Sequence, residues 1–243
     1  MSDPRSFEHV AELYERVRPE YPPDAVAWLI GQLGIDTRST LLDLGAGTGK
    51  LTRALVPYAR RVIAVDPGPK MLAQLRRAAP EAEALLGEAE SIPLAKSSVD
   101  AVVCGQSFHW FRHDEALPEI HRVLRSGGGV ALLWNSRDQS DPVQRAISEL
   151  IRPLARGRPV APDSSRRLDE CRLFGPVEKR EFRFVHDLDA DGVAGRVLSI
   201  SFVASAPVET RAEVERRARE IVAEHRGSVR FPYVTSVYVS RAA

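Results

Sequence analysis

Leu41, Leu42 and Leu44 make a short apolar run interrupted by Asp43, the pattern of a strand buried on both faces, and Gly45, Gly47 and Gly49 follow directly. Lys50–Tyr58 then reads as a helix, with Pro57 placed to end it. The alternation continues along the chain. Apolar runs at Arg61–Asp66, Glu83–Leu86, Val99–Gly105 and Val130–Trp134 predict further strands. Amphipathic stretches at Pro69–Ala79 and Ala116–Leu124 predict helices between them, the second closed by Ser126-Gly-Gly-Gly129. Strands alternating with helices imply an α/β fold around a parallel sheet.

Two helices are expected ahead of the first strand. The first spans residues 5–18, where Phe7, Val10, Ala11, Tyr14 and Val17 approach helical spacing, and Pro19, Pro22 and Pro23 stop it. The second is Ala25–Leu33, capped by Asp24 and ended by Gly34. Together they suit a lid across the carboxyl edge of the sheet. Beyond the fifth strand, Val143–Ala155 reads as helix and Arg156–Arg167 as a mobile loop. Val177–His186 and Ser228–Ser240 alternate as strands do, flanking helices at Ala190–Ser199 and Thr210–His225.

The chain has 243 residues, 44% apolar and 28% charged, enough for one α/β domain with an appended cap. The expected division is a helical lid over 1–36, a ligand-binding core over 37–136, and a C-terminal cap with closing strands over 137–243. A net charge of +1 gives no global steering toward nucleic acid or an anionic membrane. Cys104 and Cys171 are too few for a disulfide framework or a cysteine-rich metal site, which fits a reducing cytoplasm. No apolar run approaches the roughly 20 residues of a membrane span, and the polar stretch Met1–Glu8 is no signal peptide.

A strand, a glycine turn and a helix N-terminus form a pocket for a small polar ligand. A phosphate-binding loop would need glycine where Leu44 stands and Ser or Thr where Leu51 stands, so that reading fails. A dinucleotide fingerprint would need its third glycine one position later than Gly49. Asp66, at the tip of the second strand, can accept hydrogen bonds from both hydroxyls of a ribose, or can simply cap the next helix. After the fourth strand comes Gln106-Ser-Phe-His-Trp-Phe111. His109 has the titration range of a general base, and Phe108, Trp110 and Phe111 can bound an apolar acceptor, although the same residues can also begin a helix that packs on the core.

The spacing Asp43-x-Gly45-x-Gly47-x-Gly49, with Asp66 and the Gly87-Glu-Ala segment, resembles the class I S-adenosylmethionine (SAM)-dependent methyltransferases. Tyr14, Arg18, Pro19, Tyr21 and Pro22, with Gln106–Phe111, resemble a subgroup related to the trans-aconitate methyltransferases. The resemblance implies a Rossmann-like seven-stranded, mostly parallel sheet in the order 3-2-1-4-5-7-6, with helices on both faces. It also implies SAM as methyl donor and S-adenosylhomocysteine as product, with no metal. The donor contacts it implies are the backbone around Gly45, Ala46 and Gly47, Asp43 near the methionine amino end and Asp66 at the ribose. Glu88 and Ala89 would lie at adenine and Gln106 against the methionine moiety, with Pro67 and Met71 also binding the cofactor. His109 is the implied catalytic residue, with Tyr14, Arg18, Tyr21, Trp110 and Phe111 toward the substrate. The expected reaction is in-line methyl transfer to a small-molecule acceptor, with O-methylation of a carboxylate or hydroxyl favoured. A carboxylate needs no base, and Arg16 or Arg18 can hold it. The protein is expected as a monomer or homodimer without nucleic-acid or membrane partners. The rival readings are a SAM-binding protein that transfers no methyl group and an NAD-dependent oxidoreductase; a nucleic-acid amino-methyltransferase would typically show Asn/Asp-Pro-Pro-Tyr/Phe where Gly105-Gln-Ser-Phe stands.

Overall fold

All five residues of β1 (Thr40–Leu44) are buried, because helices cover the sheet on both sides. Leu42 and Leu44 point to one face and Leu41 to the other, as the two-residue period of a strand requires. The computed structural model describes residues 17–155, 165–224 and 228–243. Most of the helix expected over residues 5–18, including Tyr14 and Arg16, lies outside them, as do residues 156–164 of the expected loop.

The sheet continues with β2 (Arg61–Asp66), β3 (Glu83–Leu86), β4 (Val99–Gly105), β5 (Leu124–Arg137), β6 (Glu178–Asp189) and β7 (Ser228–Arg241). Its order is β3-β2-β1-β4-β5-β7-β6. Only β7 runs antiparallel to the others, pairing with β5 from Gly129↔Arg241 to Arg137↔Tyr233 and with β6 on its other side. This is the expected Rossmann-like arrangement. It places the ends of β1, β2, β3 and β4 along one carboxyl edge.

Two cores sandwich the sheet. On one face, Leu42, Val65, Val102 and Leu132 meet Leu117, Ile120 and Val123 of α4 (His113–Val123). On the other, Leu41, Val103 and Leu133 meet Val26 and Leu29 of α1 (Pro23–Gln32) and Leu51 and Leu55 of α2 (Lys50–Leu55). Each such side chain contributes about 1.5–3 kcal/mol when fully removed from water. The helix α3 (Pro69–Ala78) packs Leu72 and Leu75 against Ala64 of β2.

A third core stands apart from these. Here α5 (Pro142–Ile151), α7 (Ala190–Leu198), α8 (Ser201–Ala204) and α9 (Val208–Ala223) gather around the outer reaches of β6 and β7, while a short α6 (Ser165–Asp169) sets Leu168 into the core on the α4 face. Ile147, Val193, Val197 and Val214 of the third core surround Phe231 and Tyr233.

Four local expectations differ from the structure. The run Ser126–Gly129 does not cap α4; it lies within β5, where the β4–β5 register slips between Val99 and Ala101. Glycines permit that bulge, because strand β5 passes tightly against the Asp100 backbone there. The expected helix Lys50–Tyr58 tightens into a 3-10 turn over Val56–Tyr58 at Pro57, whose ring cannot supply a helical N–H. Asp24 is not the cap of α1: Pro22 holds that position in extended backbone, and the Asp24 carboxylate accepts from the Ala25 N–H instead. Part of the expected loop, Ser165–Asp169, is the helix α6.

Candidate functional site

The carboxyl edge opens onto a cavity of about 470 Å³, within the range of small-ligand sites. Its floor is the turn after β1. Gly45 and Gly47 both take left-handed backbone, with φ of 71° and 57°. A Cβ on Gly45 would stand 2.5 Å from the Ser107 Cβ, so only glycine lets the β4 tip close over this turn. The Ser107 hydroxyl seals the contact by donating to the Leu44 carbonyl at 2.7 Å. At Gly47 a Cβ would meet nothing within 4 Å among the described residues, and Gly47 lines the cavity.

Two acids frame the turn. Asp43 is wholly buried; its Oδ2 accepts from the Thr52 hydroxyl at 2.6 Å, while its Oδ1 has no hydrogen-bond partner among the described residues. Burial pushes its pKa up to about 7, helped by the neighbouring Asp66 and opposed by the Thr52 hydrogen bond. Asp66 accepts from the Gly47 N–H through one oxygen and from the Gly68 N–H through the other, each at 2.8 Å. Each carboxylate oxygen retains acceptor capacity beyond one bond. The capping role and the cavity-facing position therefore coexist at Asp66.

The expected donor-site residues all reach the cavity wall: Asp43, Gly45, Ala46, Gly47, Asp66, Pro67, Met71, Glu88, Ala89 and Gln106. Glu88 is solvent-exposed at the rim, whereas Ala89 is buried. Gln106 takes left-handed backbone at φ 58° and donates from its side chain to the Asn135 carbonyl at 2.9 Å. A non-glycine residue held in that region marks local strain of about 1–3 kcal/mol, and such strain gathers at working sites.

Arg18, Tyr21, Trp110 and Phe111, expected toward the substrate, also line the cavity. Tyr21 is buried with its hydroxyl against Gly105, where a Cβ would come within 2.5 Å of it. Arg18 fastens its segment to the end of α7, donating from Nε to the Ser199 hydroxyl at 3.0 Å and from Nη2 to the Ser199 carbonyl at 2.8 Å. Tyr14 lies outside the described residues. His109 is not on the cavity wall. It sits in a 3-10 turn, Phe108–Trp110, with Nδ1 accepting from the Trp134 indole at 3.4 Å. Burial holds its pKa down to about 4, with Arg18 and His113 adding to the effect. At neutral pH it is therefore uncharged, and an Nδ1 that accepts leaves the ring proton on Nε2.

The cavity also includes residues that motif spacing did not single out: Lys50, Glu90, Arg112 and Arg196. Glu90 accepts from the Arg112 backbone N–H at 2.7 Å, and Lys50 pairs with Glu20 at 2.8 Å. Glu90 lies two residues beyond Glu88 and was within reach of the same motif. Arg196 comes from the cap, far along the chain, and had no local signal. Among the described residues, no group of three His, Cys, Asp or Glu side chains could hold a metal ion, and no helix is long and apolar enough to cross a membrane.

Comparison with known proteins agrees with this geometry. Residues 42–132 match a family model described as a methyltransferase domain. An uncharacterized methyltransferase of Mycobacterium tuberculosis is 40% identical over 235 residues, covering 95% of this chain and 93% of the relative. One from Schizosaccharomyces pombe is 35% identical over 242 residues, covering 97% and 96%. A malonyl-[acyl-carrier protein] O-methyltransferase of Methylococcus capsulatus is 43% identical over only 98 residues, 37% of this chain and 35% of that protein. Among solved structures, one described as a type II methyltransferase from Anaeromyxobacter dehalogenans superposes with a TM-score of 0.67 at 26% identity, covering 92% of this chain and 97% of that one. With the sheet order, the glycine turn and near full-length relatives in agreement, the chain belongs to the class I SAM-dependent methyltransferases.

Proposed function

We propose that the enzyme carries the methyl group of SAM to an oxygen of a small-molecule acceptor, a carboxylate or a hydroxyl, with the carboxylate preferred. The observation that carries the SAM assignment is the buried, partnerless Oδ1 of Asp43 on the wall of a glycine-lined cavity. A buried carboxylate oxygen without a donor is costly, and an ammonium group answers it. In this reading Asp43 takes the methionine ammonium, Asp66 the ribose hydroxyls, and Glu88 with the Ala89 amide the adenine edge, while Pro67 and Met71 flank the ring.

SAM, when bound, supplies an electrophilic methyl whose bonding pair leaves with sulfur as the acceptor oxygen forms its new bond, giving S-adenosylhomocysteine. The chain's own contribution is alignment and exclusion of water, and orientation of this kind accounts for a large part of such accelerations. Tyr21 and Phe111 shape the acceptor side, and Arg18 ties the lid segment to the cap. His109 is absent from the cavity lining, has a depressed pKa and accepts through Nδ1 from the Trp134 indole, so a packing role for it fits better than the base expected from its position in the sequence. That favours an acceptor already ionised at neutral pH. The short match to an O-methyltransferase points the same way. A cytosolic setting, with Cys104 and Cys171 as free thiols, belongs to the same reading.

The test is incubation with methyl-labelled SAM and a panel of small carboxylic acids and phenols. Labelled ester with matching S-adenosylhomocysteine is the expected result. SAM binding without S-adenosylhomocysteine across the panel would favour a non-methylating SAM-binding protein, and binding of NAD in place of SAM would favour an oxidoreductase.

A further inference from the structure

Asn135 stands on the cavity wall toward the end of β5, beside the place where the tip of β4 meets that strand. It bonds to three elements through three different atoms. Its Oδ1 accepts from the Thr235 hydroxyl of β7 at 2.6 Å, its Nδ2 donates to the Glu20 carbonyl at 3.1 Å, and its backbone carbonyl accepts from the Gln106 side chain at 2.9 Å. The amide cannot be turned round. A main-chain carbonyl accepts and never donates, so the NH2 end has to face Glu20, whereas a hydroxyl can serve either end. Thr235 is fully buried and lies directly across the β5–β7 pair from Asn135, which fixes the plane of the amide.

Glu20 belongs to the stretch Arg18–Tyr21, of which Arg18 and Tyr21 line the cavity. Its carboxylate is clasped by Lys50 and Arg53, each at 2.8 Å, and Arg18 reaches Ser199. Those ties hold the tips of long side chains, which follow a shifting backbone by changing rotamer. The Glu20 side chain is also 56% exposed, so salt screens its ion pairs. The Asn135 bond holds the main chain itself, at the peptide that leads into Tyr21. Tyr21 in turn sets its hydroxyl against Gly105, and the next residue, Gln106, is held in left-handed backbone. One residue of β5 thus fixes both Tyr21 and Gln106, which line the cavity from two different segments.

We propose that Asn135 is a positioning residue for methyl transfer: through Glu20 it registers the lid segment, and through Gln106 the donor side, so that the two keep one spacing. This rests on the methyl-transfer reading above and goes beyond it. In-line displacement needs acceptor atom, methyl carbon and sulfur in a line, and a misplacement of about 1 Å can cost on the order of a hundredfold in rate. A strand end bonded to both sides suppresses that slack. Holding the lid main chain also slows its opening, so Asn135 governs escape of the nucleoside as well.

The experiment compares the native full chain with Asn135→Asp. That variant is nearly the same size, keeps the acceptor for Thr235 and the backbone carbonyl for Gln106, and puts an oxygen where the NH2 group faced Glu20. Nitration by tetranitromethane, mapped by mass spectrometry, reads opening of the segment without any nucleoside. Buried Tyr21 should react at least tenfold faster in Asn135→Asp, while fully buried Tyr233 stays unreactive and half-buried Tyr58 reacts equally in both. S-adenosylhomocysteine should slow nitration of Tyr21 in the native protein and should dissociate at least tenfold faster from Asn135→Asp. Asn135→Gln, which keeps the NH2 group, should recover part of both effects. Glu20→Gln loosens the ionic clasp but keeps the carbonyl, and should expose Tyr21 less than Asn135→Asp does. Equal nitration of Tyr21 in the native protein and Asn135→Asp, a larger effect of Glu20→Gln, or exposure of Tyr233 as well, which marks general loss of packing, would overturn the proposal. Unchanged dissociation of S-adenosylhomocysteine from Asn135→Asp would overturn it too. Failure of S-adenosylhomocysteine to bind the native protein would instead overturn the methyl-transfer reading, while nitration of Tyr21 still decides whether Asn135 holds the lid.

Discussion

SAM binding should release a proton, and Asp43 should be its source. In the ligand-free protein the Asp43 carboxyl is raised from 3.8 to about 7, chiefly because burial penalises its charged form. An ammonium beside Oδ1 requires the ionised acid, so protonated Asp43 competes with binding. The apparent affinity then falls by a factor of 1 + 10^(7−pH), about elevenfold at pH 6, about twofold at pH 7 and hardly at all at pH 8. Calorimetry in two buffers of different ionisation enthalpy should show close to one proton released per SAM at pH 6 and almost none at pH 8. Asp43→Asn should bind weakly at every pH with no such slope. The folded ligand-free protein has the same linkage with its own sign. Because the folded-state pKa is raised, the folded chain binds more protons than the unfolded one between roughly pH 4 and 7, so stability declines as pH rises through that window. A shift of about three units corresponds to about 4 kcal/mol above pH 7, and Asp43→Asn should recover much of it in denaturant unfolding at pH 8. A dissociation constant flat from pH 6 to 8, or an equal slope in Asp43→Asn, would refute the reasoning.

Asp66→Ala removes the acceptor for two backbone N–H groups and the proposed ribose contacts, each charge-assisted bond being worth about 1.5–3 kcal/mol; SAM affinity should fall at least tenfold by calorimetry, and an unaltered value would put the donor site elsewhere. With His109 neutral above about pH 4, turnover should show no ascending limb near pH 6.5. Such a limb, lost in His109→Asn, would restore the base assignment. Gly45→Ala drives a Cβ to 2.5 Å from the Ser107 Cβ at positive φ. Overpacking and left-handed backbone together should cost about 2–4 kcal/mol, read as a lowered denaturant midpoint. Gly47→Ala, which meets open space, should cost less.

What the sequence determined by itself lies along the first four strands. Burial on both faces writes strands such as Leu41–Leu44 and Val99–Gly105 as local apolar runs, and the turn after β1 needs glycine where Gly45 meets Ser107. Asp43, Asp66 and Gln106 were legible for the same reason: each sits at or beside a strand tip, within a few residues of its structural signal. The bulge at Ser126–Gly129 was not legible, since a glycine run suits a helix stop and a strand irregularity equally, and the approach of the Asp100 backbone decides between them. Tertiary structure alone decided the surroundings of two further residues. His109 has the chemistry of a base in any sequence, but its hydrogen bond from the Trp134 indole depends on packing between the segment after β4 and β5. Arg196 looks like an ordinary helical arginine in its own segment. Only the folding of α7 over the ends of β6 and β7 buries it and brings it to the cavity where the methyl donor is proposed to sit. Its burial is a property of the surrounding fold that no neighbouring residue in the chain encodes.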